Sequence, residues 1–237
     1  MENISRRAFL SFTSVALIAP CTWAWPKIAE VPTLLDHILL GSSDLERGIA
    51  FVEEHTGVRA AFGGVHPGRG TQNALLSLGE RRYLEIIAPD PKQSGVEQYS
   101  IISKLNEPRL IGWAAHRDDL EKFAEQLREQ KIDFVGPQAG SRQRPDGKVL
   151  RWTALRLKDD HRGLLPFFIE WSQDSVHPSV DAPKGCTLTR FEVTTPDTKD
   201  LLYAVSRLQL DLQVSTRDHP SLLASISGPK GQFSISS

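Results

Sequence analysis

The feature that most constrains this chain is an internal repeat. The segments "LDHILLGSSDLERGIAFVEE", from Leu35, and "LIGWAAHRDDLEKFAEQLRE", from Leu110, each run from an apolar stretch through Asp-Leu-Glu into an amphipathic segment. Leu45 and Leu120 correspond, 75 residues apart. In the second segment Leu120, Phe123, Ala124 and Leu127 recur at helical spacing and make one apolar stripe. Ser43 and Asp118 stand where N-caps belong, and Gly57 where the first helix should stop. Short apolar runs divided by turn residues follow each helix: Ala74–Leu78 and Tyr83–Ala88 in the first copy, and Phe134, Leu150–Leu157 and Phe167–Trp171 in the second. A third copy opens at Leu188, with Leu201, Leu202, Val205 and Leu208 as its helical stripe and Leu222–Ile226 and Phe233–Ile235 as later strands.

Each copy reads as strand, helix, then about three strands, so the expected class is α+β, built from repeated βαβββ modules. Residues 33–180 form a domain of two modules, 33–106 and 107–180, and residues 186–237 a third, partial one. Such a module cannot bury its sheet alone. Two of them curling towards each other leave a cleft between them.

The first 24 residues read differently. Ser5-Arg6-Arg7-Ala8-Phe9-Leu10 opens an apolar stretch to Ala19, followed by Thr22-Trp23-Ala24. A basic start, a short apolar core and a small residue for cleavage make an export signal, and the paired arginines make it twin-arginine in type. The expected destination is the periplasm or the exterior. The apolar core falls short of the roughly 20 residues that a membrane span needs, so the mature protein is expected to have no span. Pro20 weakens a lipid-attachment reading of Cys21. Cleavage after Ala24 would leave Cys186 as the only thiol and no intramolecular disulfide. With 28 basic and 29 acidic side chains and no basic stripe, a nucleic-acid partner is not expected.

Residues 65–76, "VHPGRGTQNALL", pose a specific question, because glycines flanking an arginine suggest a phosphate loop. Such a loop needs a helix N-terminus directly after it, so that aligned amides meet the anion. Here the strand-like run Ala74–Leu78 follows, and no Lys-Ser/Thr pair is present. The stretch is therefore a turn that sets His66, Arg69 and Asn73 at the rim of a strand. A second polar group, Arg142, Arg144, Asp146 and Trp152, surrounds the turn in "RQRPDGKVLRW". It is either a solvated hairpin, or Arg144 and Trp152 edge a pocket and hold an anionic or aromatic substrate. His177, before Pro178, reads as a turn residue, and His116 as a strand end.

With "LDHI" in its first strand and "YLEII" in the last strand of the first module, the chain resembles the vicinal oxygen chelate superfamily. "HPGRGTQNALLSLGERRYLEII", "RPDGKVLRW" and "LPFFIEW…HP" are similar to its glyoxalase-like branch. The resemblance implies metal ligands on the first and last strands of each module: His37, Glu85 and, by matching "FIEW" to "YLEI", Glu170. Matching Asp44-Leu45 to Asp119-Leu120 sets Gly112 in the fourth position, which is empty. A divalent Mn, Fe, Zn or Mg ion is the implied cofactor, polarising adjacent oxygens of a small-molecule substrate. Glu85 or His66 is the candidate base, with Asn73 and Arg69 beside Arg144 and Trp152 as substrate-binding residues.

Three functions remain open on the sequence. One is a metal-assisted isomerase, lyase or dioxygenase. The second is a metal-free protein of the same fold that binds or sequesters a small molecule. The third is a scaffold using the outer face of the third module. Two modules in one chain suit either a monomer or a homodimer.

Overall fold

The computed structural model describes residues 30–93, 101–144 and 146–237. The expected export signal, residues 1–24, lies outside them. The first module comprises β1 (Leu35–Gly41), α1 (Leu45–Thr56), β2 (Ala61–His66), β3 (Thr71–Ser77) and β4 (Tyr83–Pro89). The second comprises β5 (Arg109–His116), α2 (Leu120–Glu129), β6 (Phe134–Gln143), β7 (Val149–Leu157) and β8 (Phe167–Trp171). Together they build one eight-stranded sheet in the order β2-β3-β4-β1-β5-β8-β7-β6. Each half closes its own parallel pair, β1 with β4 and β5 with β8, and the antiparallel β1–β5 pair joins the halves.

Alternation along the strands divides the sheet into two faces. Ile38, Leu40, Leu84 and Ile86 enter the main core with Leu45, Ile49 and Val52 of α1. His37, Leu39, Tyr83, Glu85 and Ile87 face the opposite, concave side. In the second half Phe168 packs on Phe123 of α2 with ring centroids 4.5 Å apart. The sheet curls until its outer strands meet, where the Arg142 guanidinium of β6 donates to the Gly63 carbonyl of β2. No helix among the described residues is long and apolar enough to cross a membrane.

The helix caps lie one residue beyond the expected positions. Asp44 accepts from the Arg47 N–H and Asp119 from the Lys122 N–H, both at 2.9 Å, in place of Ser43 and Asp118. Gly57 ends α1 as expected, in the left-handed region at φ 82°, where a residue without Cβ is favoured.

A short α3 (Pro178–Asp181) leads into β9 (Thr187–Thr195), α4 (Thr198–Arg207), β10 (Gln213–Thr216), β11 (Ser221–Gly228) and β12 (Gly231–Ser236). The element order of the third copy matches the other two, but its pairing does not. These strands form a separate sheet in the order β10-β9-β11-β12, with β9 directly beside β10 in parallel. In the first module the strand after the helix lies at the far edge, because β4 takes the place beside β1. Leu202, expected in the α4 stripe, is exposed, and Leu201, Val205 and Leu208 carry the packing.

The third unit packs on the convex side. The Lys230 N–H donates to the Thr56 carbonyl at the end of α1, and Phe191 of β9 meets Trp113 of β5 with ring centroids 5.1 Å apart. Both rings are buried in the shared core. We expect Phe191→Ala to lower unfolding stability by about 3–5 kcal/mol, measured by denaturant titration. A loss below about 1 kcal/mol would mean that this junction carries little of the packing.

Candidate active site in the concave cleft

The cleft is lined from the first module by His37, His66, Arg69, Thr71, Asn73, Tyr83 and Glu85, and from the second by Arg142, Trp152, Arg156, Phe167, Ile169 and Trp171. Of the residues expected from the sequence, His37, His66, Arg69, Asn73, Glu85 and Trp152 come together here. Arg144 and Glu170 do not.

The most constrained group is one that sequence reasoning missed. Between Leu35 and His37 the β1–β5 register slips by one, Leu35 pairing with Ala115 and His37 with Ala114. Asp36 is therefore an extra residue, a bulge that lets neighbouring side chains approach each other instead of pointing to opposite faces. Its carboxylate is 1% exposed. Oδ1 accepts from His37 Nδ1 at 2.6 Å, and Oδ2 accepts from Trp171 Nε1 at 3.0 Å and His177 Nε2 at 3.1 Å. The tautomer of His177 follows from its other nitrogen, since the Ser179 N–H donates to Nδ1 at 3.2 Å and the ring proton must then sit on Nε2. Burial alone would push Asp36 up, but the hydrogen bonds from His177 and His37 outweigh it and hold it well below the ordinary carboxylate value.

With Nδ1–H committed to Asp36, His37 turns Nε2 to the cleft, 3.6 Å from Glu85 Oε2. Its ring stacks on Tyr83 at 4.5 Å and meets the edge of Phe167 at 5.4 Å. Glu85 Oε1 accepts from Asn73 Nδ2 at 2.6 Å and lies 3.5 Å from His66 Nε2. His66 contacts Thr71 Oγ1 through Nδ1 at 2.9 Å and Asn73 Nδ2 through Nε2 at 3.3 Å. The amide donates, so Nε2 is an acceptor and the ring is neutral. Burial, which lowers the His66 pKa against the pull of Glu85, favours the same state. For Glu85, burial raises the pKa, but His66, His37, the Asn73 hydrogen bond and Arg142 together leave it below the usual value. When His66 is neutral, Asn73 and Arg142 still hold the carboxylate ionised. Gly63 is required beside this group, because a Cβ there would come within 2.5 Å of Asn73 Oδ1.

The cleft is otherwise cationic. Arg142 is buried, Arg69 half-buried and Arg156 exposed at the mouth with its guanidinium 4.5 Å from the Phe167 ring centroid. Among the described residues none of these three arginines forms an ion pair, which leaves their charge for a ligand. Arg144 instead pairs with Asp181 and Asp146 at the outer rim. Arg144 shares the phase of Arg142 but lies one step too far along the strand: it is Arg142, two residues earlier, that reaches the cleft.

Glu170 is also out of phase. Phe167, Ile169 and Trp171 face the cleft, so Phe168 and Glu170 face away, and Glu170 accepts from the Leu120 N–H at 3.0 Å at the start of α2. The strand register explains why. His37 pairs with Tyr83 as Ala114 pairs with Phe167, so Glu85 corresponds to Ile169 and His37 to Ala114. Gly112 lies opposite Leu39. A one-residue slip in matching "FIEW" to "YLEI" moved a carboxylate through the sheet.

The residues therefore do not fit a resident Mn, Fe, Zn or Mg ion. Two of the four implied ligand positions are alanine and isoleucine, and unpaired guanidinium groups edge the remaining imidazole and carboxylate. Among the described residues no three His, Cys, Asp or Glu side chains are grouped to hold a metal.

Two paired βαβββ modules around a cleft with this strand order constitute the vicinal oxygen chelate fold. A family model described as a glyoxalase-like domain matches residues 35–209, and the protein belongs to that family. No curated protein matches the chain. A hypothetical protein from Staphylococcus aureus is 18% identical, with 85% of this chain and 84% of that one covered and a TM-score of 0.61. Methylmalonyl-CoA epimerase from Mycobacterium tuberculosis is 21% identical, covering 64% of this chain and 94% of that one, with a TM-score of 0.45. The Streptomyces coelicolor methylmalonyl-CoA epimerase in complex with 2-nitronate-propionyl-CoA is 19% identical, covering 59% and 98%, with a TM-score of 0.44. The likeness to the first of these is one of fold.

Two outcomes follow. Glu170→Ala should cost about 1 kcal/mol of stability, as loss of a helix-start acceptor does, and leave ligand binding in the cleft unchanged when both are measured on one preparation. Asp36 has a depressed folded pKa, so its stabilisation is complete above the unfolded value of about 3.9 and is lost as pH falls below it. Asp36→Asn should therefore be less stable than the parent by about 1–3 kcal/mol at pH 7, with the gap narrowing below about pH 4. A gap independent of pH, in denaturant titrations across that range, would contradict the assignment.

Proposed function

We propose that the cleft binds a small organic anion and that His37, held by Asp36, is the base that removes a proton from it, in an isomerase or lyase reaction that needs no metal. The observation that carries this reading is the buried 2.6 Å Asp36–His37 hydrogen bond, which leaves Nε2 directed into a cleft bordered by unpaired arginines. A buried carboxylate on the far nitrogen fixes the tautomer and stabilises the imidazolium that forms when the near nitrogen takes a proton. Arg69 and Arg156 at the mouth hold the anionic group. A C–H bond beside a carbonyl then lies against His37 Nε2. The proton passes to Nε2, and the electron pair of the broken bond moves onto the carbonyl oxygen, where the Arg142 guanidinium stabilises the enolate. Return of the proton to a different carbon of the delocalised anion completes an isomerisation, and departure of a neighbouring group with its bonding electron pair completes an elimination.

Ala114 and Ile169, at positions where the fold elsewhere places ligands, favour a second reading in which the protein only binds and sequesters such anions. We also propose that the Arg6-Arg7 segment directs export, so that either activity operates outside the cytoplasm.

The experiment is proton exchange in D2O, followed by NMR, with a panel of small carboxylates bearing acidic C–H bonds. At least one member should exchange, in the presence of EDTA, and His37→Gln should slow that exchange by about 10²–10⁴-fold while binding persists. Binding without exchange across the panel would establish the sequestering protein instead. Exchange abolished by EDTA and restored by a divalent ion would overturn the metal-independent reading.

A further inference from the structure

A second chamber adjoins the cleft across Arg142. Along β7, Arg156 and Trp152 line the cleft and Leu150 lines the second chamber; along β3, Thr71 and Asn73 line the first and Leu75 the second. The steps are two or four residues, so all of these side chains share the concave face. Arg142 borders both spaces. Beyond it the walls turn apolar, formed by Ala61, Phe62, Leu75, Leu150, Pro178 and Ala182. At its outer corner Arg144 is clasped to Asp181. Phe62 is 47% exposed, a large ring kept in contact with water. Leu75, Tyr83 and Ala182, with Trp171 against them, form an apolar cluster separate from the main core. Tyr83 in turn stacks on His37. Leu75 and Tyr83 thus stand between the second chamber and the proposed base.

We propose that this chamber receives the hydrocarbon part of the same substrate, making the ligand class a carboxylic acid with an aliphatic or arylalkyl chain. The proposal rests on the anion-binding reading of the cleft and adds the substrate's other end. Arginines alone hold any small anion loosely, because water competes for both partners. An apolar chamber in line with them selects by chain length. Each methylene moved from water to such a wall gains about fourfold in affinity.

The test is an NMR titration of the full chain with the straight-chain monocarboxylates from acetate to decanoate. Affinity should rise about three- to fourfold per methylene over the middle of the series and then level once the chamber is filled. Ala61 and Phe62 are exposed, so variants there test the chamber without threatening the fold. Ala61→Trp, which fills it, should cut the decanoate-to-acetate affinity ratio at least tenfold, and Phe62→Ala should lower it by a smaller factor. Leu202→Ser, at an exposed position on α4, should leave the ratio unchanged. Carboxylates that bind with no gain along the series, or a gain that Ala61→Trp does not alter, would overturn the chamber assignment and leave the anion-binding cleft standing. Failure of every member to bind would overturn both.

Discussion

Everything in the concave site depends on the antiparallel pairing of β1 with β5. That seam turns two modules into one continuous sheet, and continuity sets the curl that brings β2 and β6 together on the far side. It also fixes the phase of each strand, and phase decides which side chains meet. A strand side chain has two available faces and nothing between, so the cleft is assembled by parity: His37 and Leu39 of β1 and odd-numbered positions of β4 and β8 point in, and even-numbered positions of β7 join them. The bulge at Asp36 is one of two register shifts in the seam, the other falling between Leu39 and Leu40. It delivers a carboxylate to the back of an imidazole on the next residue, which an unbroken strand does not do.

The two halves have consequently diverged in what they supply. The first contributes ionisable and amide groups, His37, Glu85, His66 and Asn73. The second contributes shape and positive charge, through Trp152, Phe167, Ile169, Trp171, Arg142 and Arg156. The segment after β8 adds a third contribution by looping back over the first half, where His177 braces Asp36 and Asp181 holds Arg144. The chain leaving the second module thus passes over its own site on the way to the third unit.

Much of this was legible in the sequence, for reasons that also mark where reading fails. The repeat, the stripe of α2 and the apolar β8 run are visible because burial imposes a period, and the period survives in one strand of text. His37 and Glu85 were identified through the resemblance of "LDHI" and "YLEII" to the superfamily's first and last strands. Asp36 was not, because a bulge leaves no periodic trace. His177 was read as a turn because its partner lies 141 residues away. Glu170 failed through parity, since a resemblance of four letters is satisfied equally well one residue out of phase. Arg144 has the right parity but lies one step beyond the cleft, where Asp181 and Asp146 take its charge. The third unit kept its order of elements but exchanged its pairing, which no single-strand pattern encodes.

The division of labour between the halves has a stereochemical consequence. Among the described residues that line the cleft, every group able to accept a proton lies on the first-module wall, and the facing wall at Phe167 and Ile169 offers hydrocarbon alone. On the proposed reading, a planar enolate between them would be reached by acid and base from one side only. Proton removal and return would then use the same face of the carbon, so a stereocentre adjoining the carbonyl would keep its handedness through exchange. Inverting it would require the molecule to turn over within the cleft.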